Sequence, residues 1–324
     1  MTAPETPLVD IGLRIGSRWR QVGLKLESHN PSGSIKHRTA RGLLKALEVS
    51  GRLAPGTHLV ESTSGNLGVA LAFLSRELRY KFTAVTDPKA DPSMLEHIRS
   101  MGAAVICVQE PDEAGGYLFA RLAAIQRLLA EDPTLVWPNQ YENPANPEIH
   151  FRETAPEICR QRPGLDAVFI AASTGGTLAG IGRYLKSVSP SVKVIGVDIR
   201  GSRVFGHPSG KRVITGIGSS RASLFLRSDD YDDAVIVDDR EAVVACHYLQ
   251  DNLGIGLGGS SGAVIAACAR YLGDHPEIAQ PVCICPDGMA NYLNTLYDHE
   301  WLAGNGLDTS LTLEAMAFSD VSKW

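Results

Sequence analysis

From about residue 57 the chain alternates short β-branched apolar runs with longer stretches whose apolar residues recur at helical spacing. Strands are predicted at 57–61, 81–86, 103–108 and 135–137, with helices at 66–77, from Asp91 to about Gly102, and at 116–131. Asp91 suits an N-cap with Pro92 at the first helical position, and 116–131 repeats apolar residues at Leu118, Leu122, Ile125 and Leu129. The alternation resumes after the Pro/Asn-rich stretch 139–147: strands at 167–172, 192–199, 234–237 and 282–285, helices at 177–188, 240–253 and 261–272. A Gly/Ser/Arg-rich loop, 200–223, interrupts it. Ahead of all this, 23–27 is strand-like and a helix runs from Lys36 to about Gly51. Apolar strands separated by helices form parallel sheets covered on both faces, so the chain reads as α/β, in two units divided near residue 145. The polar tail beyond Gly304-Asn305-Gly306 is expected to be loosely ordered.

Charge narrows the partners. A formal net charge of -5 argues against the basic footprint of a nucleic-acid binder. No apolar stretch reaches the roughly 20 residues of a membrane span, and Met1-Thr2-Ala3-Pro4 does not begin a basic-then-apolar leader. The cysteines Cys107, Cys159, Cys246, Cys268, Cys283 and Cys285 have neither metal-site spacing nor a disulfide framework. Cys283 and Cys285 share one face of an apolar strand and read as buried thiols. The expectation is a cytoplasmic protein acting on small molecules, without a metal.

In open α/β sheets, ligands sit where strand ends lead into helix N-termini, and four such loops have unusual composition. Asn30-Pro31-Ser32-Gly33-Ser34-Ile35-Lys36-His37-Arg38 is a turn opening a helix, with Ser34 as the expected N-cap. Lys36 then lies in the first helical turn, where the helix dipole disfavours an ammonium. Such a lysine is a better Schiff-base amine and proton carrier. Glu61-Ser62-Thr63-Ser64-Gly65-Asn66-Leu67-Gly68 offers hydroxyls and helix-start amides to an anion. Ser173-Thr174-Gly175-Gly176-Thr177 forms a candidate phosphate cup, although it lacks the Gly-Lys-Ser/Thr of a nucleotide loop. Gly258-Gly259-Ser260-Ser261-Gly262 opens a helix, with one hydroxyl expected to cap it and the other to face a ligand. Singly, each is also what a capping turn or a solvated lysine looks like. Their joint order and spacing are specific.

Together these loops resemble the cysteine synthase/cystathionine β-synthase family of fold-type II pyridoxal-phosphate enzymes, from about Thr6 to Trp301. The family's Asn-Pro-x-Gly-Ser-x-Lys-x-Arg segment matches 30–38, its Thr-Ser-Gly-Asn loop 63–66, and its Gln-x-x-Asn-Pro-Ala-Asn segment 140–146. The phosphate cup and the Ser-Ser-Gly helix start complete the set at 173–177 and 260–262. The resemblance implies pyridoxal 5'-phosphate carried on Lys36, its ring hydroxyl at Asn66, and its phosphate at Ser173, Thr174, Gly175, Gly176 and Thr177. Ser260 would face its pyridine nitrogen, where a neutral hydroxyl favours elimination over transamination. Thr63, Ser64, Asn66 and Gln140 would clamp the substrate carboxylate, with Gly216, Ser219 and Arg221 completing the substrate side. The implied fold has two domains, each with a parallel-dominated sheet flanked by helices. A small mobile domain, 40–145, would close over a large cofactor-binding domain of 1–39 and 146–324, in a homodimer. The implied reaction is β-substitution: Lys36 removes the Cα proton of an O-activated serine, the activated oxygen leaves, and a nucleophile adds at Cβ.

Several positions depart from ordinary cysteine synthases. His37 stands where the family has Asp, Leu67 where it has Thr, and Ser173 where it has the first glycine of the cup. Arg221 follows Gly216-Ile217-Gly218-Ser219-Ser220 where an aromatic is usual; it is expected to take a phosphate or a second carboxylate bidentately. Segments 59–68, 87–89, 110–112, 115–118, 201–206 and 216–221 resemble family members that join O-phospho-L-serine to the amine of L-glutamate. Their product is a precursor of 2,3-diaminopropionate, used in siderophore or peptide-antibiotic biosynthesis. The segment 286–292 lacks the basic residue usual before Tyr292, which leaves the second substrate open. A sulfide-using cysteine synthase, on acetylserine or phosphoserine, is the nearest alternative. An inactive paralogue serving as a regulatory partner is another, against which stand intact Lys36, Asn66, Gln140 and Ser260.

Overall fold

The computed structural model describes residues 4–15, 17–112, 116–307 and 318–323. Its strands are β1 (Leu8–Ile15), β2 (Arg18–Leu26), β3 (His58–Ser62), β4 (Lys81–Thr86), β5 (Ala104–Cys107), β6 (Ala167–Ala171), β7 (Lys193–Ile199), β8 (Asp233–Val237), β9 (Pro281–Cys285) and β10 (Phe318–Lys323). The helices are α1 (Lys36–Val49), α2 (Asn66–Leu78), α3 (Pro92–Ser100), α4 (Leu118–Glu131), α5 (Ala145–Ile149), α6 (Ala155–Gln161), α7 (Gly176–Val188), α8 (Asp239–Leu253), α9 (Gly259–Asp274) and α10 (His299–Gly304). A three-stranded sheet, β3-β4-β5, is parallel throughout. The larger sheet has the order β10-β1-β2-β9-β6-β7-β8, parallel from β2 to β8 and antiparallel at the β1 edge. The α/β class expected from the alternation is what forms.

The parallel strands read as continuous apolar runs because helices cover both faces: every residue of β9 is buried, as is β6 up to its last residue. Helix α9 is buried almost all round and packs on α8, β6 and β9. Helix α1 turns Ala40, Leu43, Leu44 and Leu47 into the core of the small sheet, with Leu59, Leu71 and Phe82. Its first residue, Lys36, thereby sits where the two sheets meet.

Several regions differ from the sequence reading. Strand β1 was not predicted, although Ile11, Leu13 and Ile15 are buried at a spacing of two, the pattern of a one-sided antiparallel edge. Residues 135–137 make one bridge to β3, through Val136 to Leu59, and Pro138 follows at once. The break near 145 is helical, with α5 running into a π-turn (His150–Thr154) and α6. The tail expected to be loose ends in β10, paired antiparallel with β1, while 308–317 fall outside the described residues, as does Gly115.

A buried ionic cluster anchors α1 from below. Arg38 donates from Nε to Glu27 (2.8 Å) and from Nη1 to Glu157 (2.8 Å). Lys25 donates to Glu157, to the carbonyl of Thr6 (2.6 Å) and to Gln161 (2.7 Å). Two cations and two carboxylates balance in a site where an unpaired charge would be costly. Among the described residues no helix is long and apolar enough to cross a membrane.

Candidate active site

The carboxyl ends of β3, β6 and β9 open onto one pocket at the junction of the sheets, as expected for ligand sites in open α/β folds. Lys36, Thr63, Ser64, Asn66, Gln140, Ser173, Thr174, Gly175, Thr177, Gly216 and Ser260 all line it. Gly176, Ser219 and Arg221 do not: they lie one layer back or at the rim.

Lys36 is half-buried at the first position of α1. Burial pushes its ammonium below the ordinary lysine value, and the nearby Asp287 carboxylate pulls it partly back. Ser34 acts at the helix start as expected, although the helical assignment begins at Lys36 with Ile35 before it in αR conformation. The Ser34 hydroxyl accepts from the Lys36 backbone N–H at 3.3 Å, the bond of an N-cap.

The cup at 173–177 is shaped by two glycines. Gly175 adopts φ +87°, and a Cβ there would lie 2.1 Å from Ser223 Oγ. A Cβ on Gly176, the first residue of α7, would lie 2.1 Å from Asn146 Oδ1. The backbone thus passes close enough to present the N-terminal amides of α7 to an anion. Two hydroxyls stitch the 200–223 loop to the cup: Ser223 donates to the Thr174 carbonyl (2.6 Å) and Ser173 to the Gly218 carbonyl (3.0 Å). Thr177 meets His150 Nε2 at 3.3 Å, which also lies 3.1 Å from Thr39. Burial and the charges of Lys36 and Arg38 hold that imidazole well below its ordinary pKa, hence neutral.

Ser260 is buried beside the Asp287 carboxylate, and its hydroxyl makes no well-formed hydrogen bond among the described residues. A buried orphan hydroxyl facing a pocket calls for a ligand atom. Ser261 does not cap α9 as anticipated but donates to the Asp287 carbonyl at 3.2 Å. A lysine with a depressed pKa, an anion cup and an unpaired neutral hydroxyl on opposite walls are the donor set that a phosphorylated pyridine aldehyde requires.

On the substrate side, Thr63 Oγ1 accepts from the Gly68 N–H at 2.9 Å and so shapes the 63–68 turn. The Gln140 amide donates to the Ser62 carbonyl at 2.8 Å, and Asn146 ties the Gln140 carbonyl (2.7 Å) to Thr174 (3.2 Å). Arg221 lies over the Tyr141 ring, with its guanidinium carbon 5.2 Å from the centroid, and reaches Glu142 at 3.5 Å. Since Tyr141 lines the pocket, Arg221 is one side chain removed from it. Ser219 Oγ accepts from the Arg221 backbone N–H at 3.2 Å.

Glu61, fully buried behind this wall, joins the end of β3 to the Trp137–Gln140 segment. Its carboxylate accepts from Trp137 Nε1 (2.9 Å), Gln140 N (3.1 Å) and Ser62 N (2.9 Å). Burial pushes its pKa up to about 7 despite those donors. The folded state therefore binds a proton more tightly than the unfolded chain, and stability is lost as pH rises from about 4.5 through 7. Relative to Glu61→Gln, the wild-type protein is expected to lose roughly 3 kcal/mol between pH 4.5 and pH 8. Urea unfolding of both proteins across that range checks this, and parallel pH profiles would refute it.

Sequence reasoning assigned no role to Tyr141, Asn146, Glu61 and Asp287, although Glu61 opens the 61–68 loop and Asn146 closes the 140–146 segment. Asp287 carried a usable signal: it stands two residues past a buried parallel strand, where ligands gather. Tyr141 is distinguished only by its contacts.

The fold and this site define an enzyme whose chemistry is supplied by a bound pyridoxal phosphate. The chain belongs to the pyridoxal-phosphate dependent enzyme family, which matches residues 2–287. It is 43% identical over 300 residues to the N-(2-amino-2-carboxyethyl)-L-glutamate synthase of Ralstonia nicotianae, covering 92% of this chain and 88% of that protein. Against the synthase of the same name from Cupriavidus metallidurans, identity is 41%, with 92% and 89% covered. Among solved structures, the O-acetylserine dependent cystathionine beta-synthase from Helicobacter pylori superposes with a TM-score of 0.82 at 30% identity, covering 90% of this chain and 95% of that one. O-ureido-L-serine synthase does so with a TM-score of 0.82, also at 30% identity, covering 96% and 95%.

Proposed function

We propose that the protein joins O-phospho-L-serine and the amine of L-glutamate by β-substitution, giving N-(2-amino-2-carboxyethyl)-L-glutamate, a 2,3-diaminopropionate precursor. The carrying observation is identity above 40% over nine-tenths of the chain to two synthases of that name. The Arg221 guanidinium, stacked on the pocket-lining Tyr141, supports the same reading. When bound, pyridoxal phosphate withdraws electrons from Cα of an attached amino acid. Lys36 Nζ, its neutral form favoured by burial, takes the Cα proton and returns one after addition. Thr63, Ser64, Asn66 and Gln140 orient the substrate carboxylate, Ser173–Thr177 hold the cofactor phosphate, and Ser260 faces the ring nitrogen without charging it. Arg221, with Gly216 and Ser219, receives the leaving phosphate or the glutamate side chain. Closure of 40–145 over 1–39 and 146–324 excludes water from the eliminated substrate. A cytoplasmic homodimer serving siderophore or peptide-antibiotic synthesis completes the proposal.

Purified protein with O-phospho-L-serine is expected to release phosphate continuously only when L-glutamate is present, with the joined product detected by mass spectrometry. Turnover of phosphoserine with sulfide but not with glutamate, or of acetylserine but not of phosphoserine, would make the protein a cysteine synthase instead. Because a charge-assisted hydrogen bond contributes about 1.5–3 kcal/mol, Arg221→Ala should lower kcat/KM for phosphoserine roughly 10- to 100-fold. Acetylserine elimination by the same variant should change less than about 3-fold; equal losses with both donors would remove Arg221 from the phosphate's binding site.

A further inference from the structure

Asp287 is a buried carboxylate that lines the pocket, and none of the roles above uses it. Its Oδ2 accepts from Asn66 Nδ2 and from the buried hydroxyl of Tyr292. Its Oδ1 is buried and has no hydrogen-bond partner among the described residues. That oxygen packs against Gly258, where an added Cβ would lie 2.0 Å away. The backbone around Asp287 is equally committed. The carbonyl of Pro286 accepts from Ile35 N (2.8 Å), and that of Asp287 from Gly258 N (3.2 Å) and Ser261 Oγ (3.2 Å). Pro286 and Asp287 between them thus touch the loop leading to Lys36, the loop leading to Ser260, and the first residue of α2, which packs on the other sheet.

The consequence for Asn66 is specific. A carboxylate only accepts, so the Asn66 atom facing Asp287 is the amide nitrogen. Asn291 Nδ2 donates to the other end, Asn66 Oδ1, at 2.9 Å. Both ends of the amide are therefore assigned, and Nδ2 carries a second N–H, on a residue that lines the pocket and lies beside the Tyr292 hydroxyl. Burial raises the Asp287 carboxyl above its ordinary pKa, while Tyr292, Asn66, the Lys36 charge and the nearby Ser260 hydroxyl pull it back. Burying a carboxylate is costly, and here it orients a donor.

We infer that Asp287 is a positioning residue for the cofactor, its carboxylate fixing the Asn66 amide so that the remaining N–H is presented to the ring oxygen of pyridoxal phosphate. The inference rests on the reading of Asn66 as the ring-oxygen donor. A double-mutant cycle on the holoenzyme separates the two. Asn66→Ala, Asp287→Ala and the double variant are stripped of cofactor, and the pyridoxal phosphate dissociation constant is measured by spectral titration. Each single change is expected to weaken binding on the order of ten-fold. In the Asn66→Ala background, Asp287→Ala should add less than about two-fold. Losses that multiply in the double variant would show Asp287 acting independently of Asn66 and overturn the inference. If Asn66→Ala alone leaves both the dissociation constant and the absorption maximum unchanged, the reading of Asn66 fails, and the inference falls with it. Should Asp287→Ala not fold, Asp287→Asn in the same cycle should give a smaller loss that again vanishes without Asn66; a loss that persists overturns the inference equally.

Discussion

Lys36→Ala is expected to abolish covalent attachment of the cofactor and to lower turnover roughly 10⁴-fold, the upper range for removal of a positioned proton-transfer group. Two features single out this lysine among those of the chain. It occupies the first turn of α1, where the helix dipole opposes its charge, and burial opposes that charge further. Borohydride reduction followed by peptide mass spectrometry should place the cofactor on Lys36 in the wild-type protein and nowhere in the variant. Retention of substantial turnover, or a cofactor adduct on another lysine, would remove Lys36 from the chemistry. Phosphate should still bind the variant, because the cup at 173–177 is built from β6, α7 and the 200–223 loop.

The second large effect concerns stability. Arg38→Met is expected to destabilise the fold by about 3–5 kcal/mol, the usual result of removing one partner from a buried ion pair. The change strands Glu27 and Glu157, which keep only Lys25 as a cationic partner in the cluster. Arg38 lies two residues after Lys36, so loosening it also frees the turn that aims the amine. Denaturant unfolding gives the free energy. A loss below about 1 kcal/mol, the range of an exposed pair, would show that solvent reaches the cluster. Replacing Arg38, Glu27, Lys25 and Glu157 together with apolar residues should recover part of the loss, because no uncompensated charge then remains.

Strands β3 through β9 and their helices were legible within a few residues, because a parallel strand is an apolar run and a helix repeats near 3.6 residues whatever surrounds it. The catalytic loops were legible for a related reason. A close backbone approach to a ligand demands glycine, and anion binding demands hydroxyls and amides, so the chemistry is written in consecutive residues. Strand β1 escaped because Asp10, Gly12 and Arg14 break its apolar run, and only pairing with β2 gives the alternation a core face. The segment 145–161 escaped because its prolines and asparagines read as a break, while packing of α5 on α1 and α7 makes it helical.

By itself, then, the sequence determined the layered α/β class and, through the joint order of four loops, the family resemblance from which the roles of Lys36, the 173–177 cup and Ser260 are proposed. Only the tertiary structure decided which side chains aim these parts. Asn66 and Asp287 are 221 residues apart and meet across two sheets. Glu61 finds Gln140 at a separation of 79 residues, and Asn146 finds Thr174 at 28. Such contacts leave no periodicity to read, because hydrogen bonds between loops depend on where the strand ends arrive in space, and that is set by the packing of the whole core.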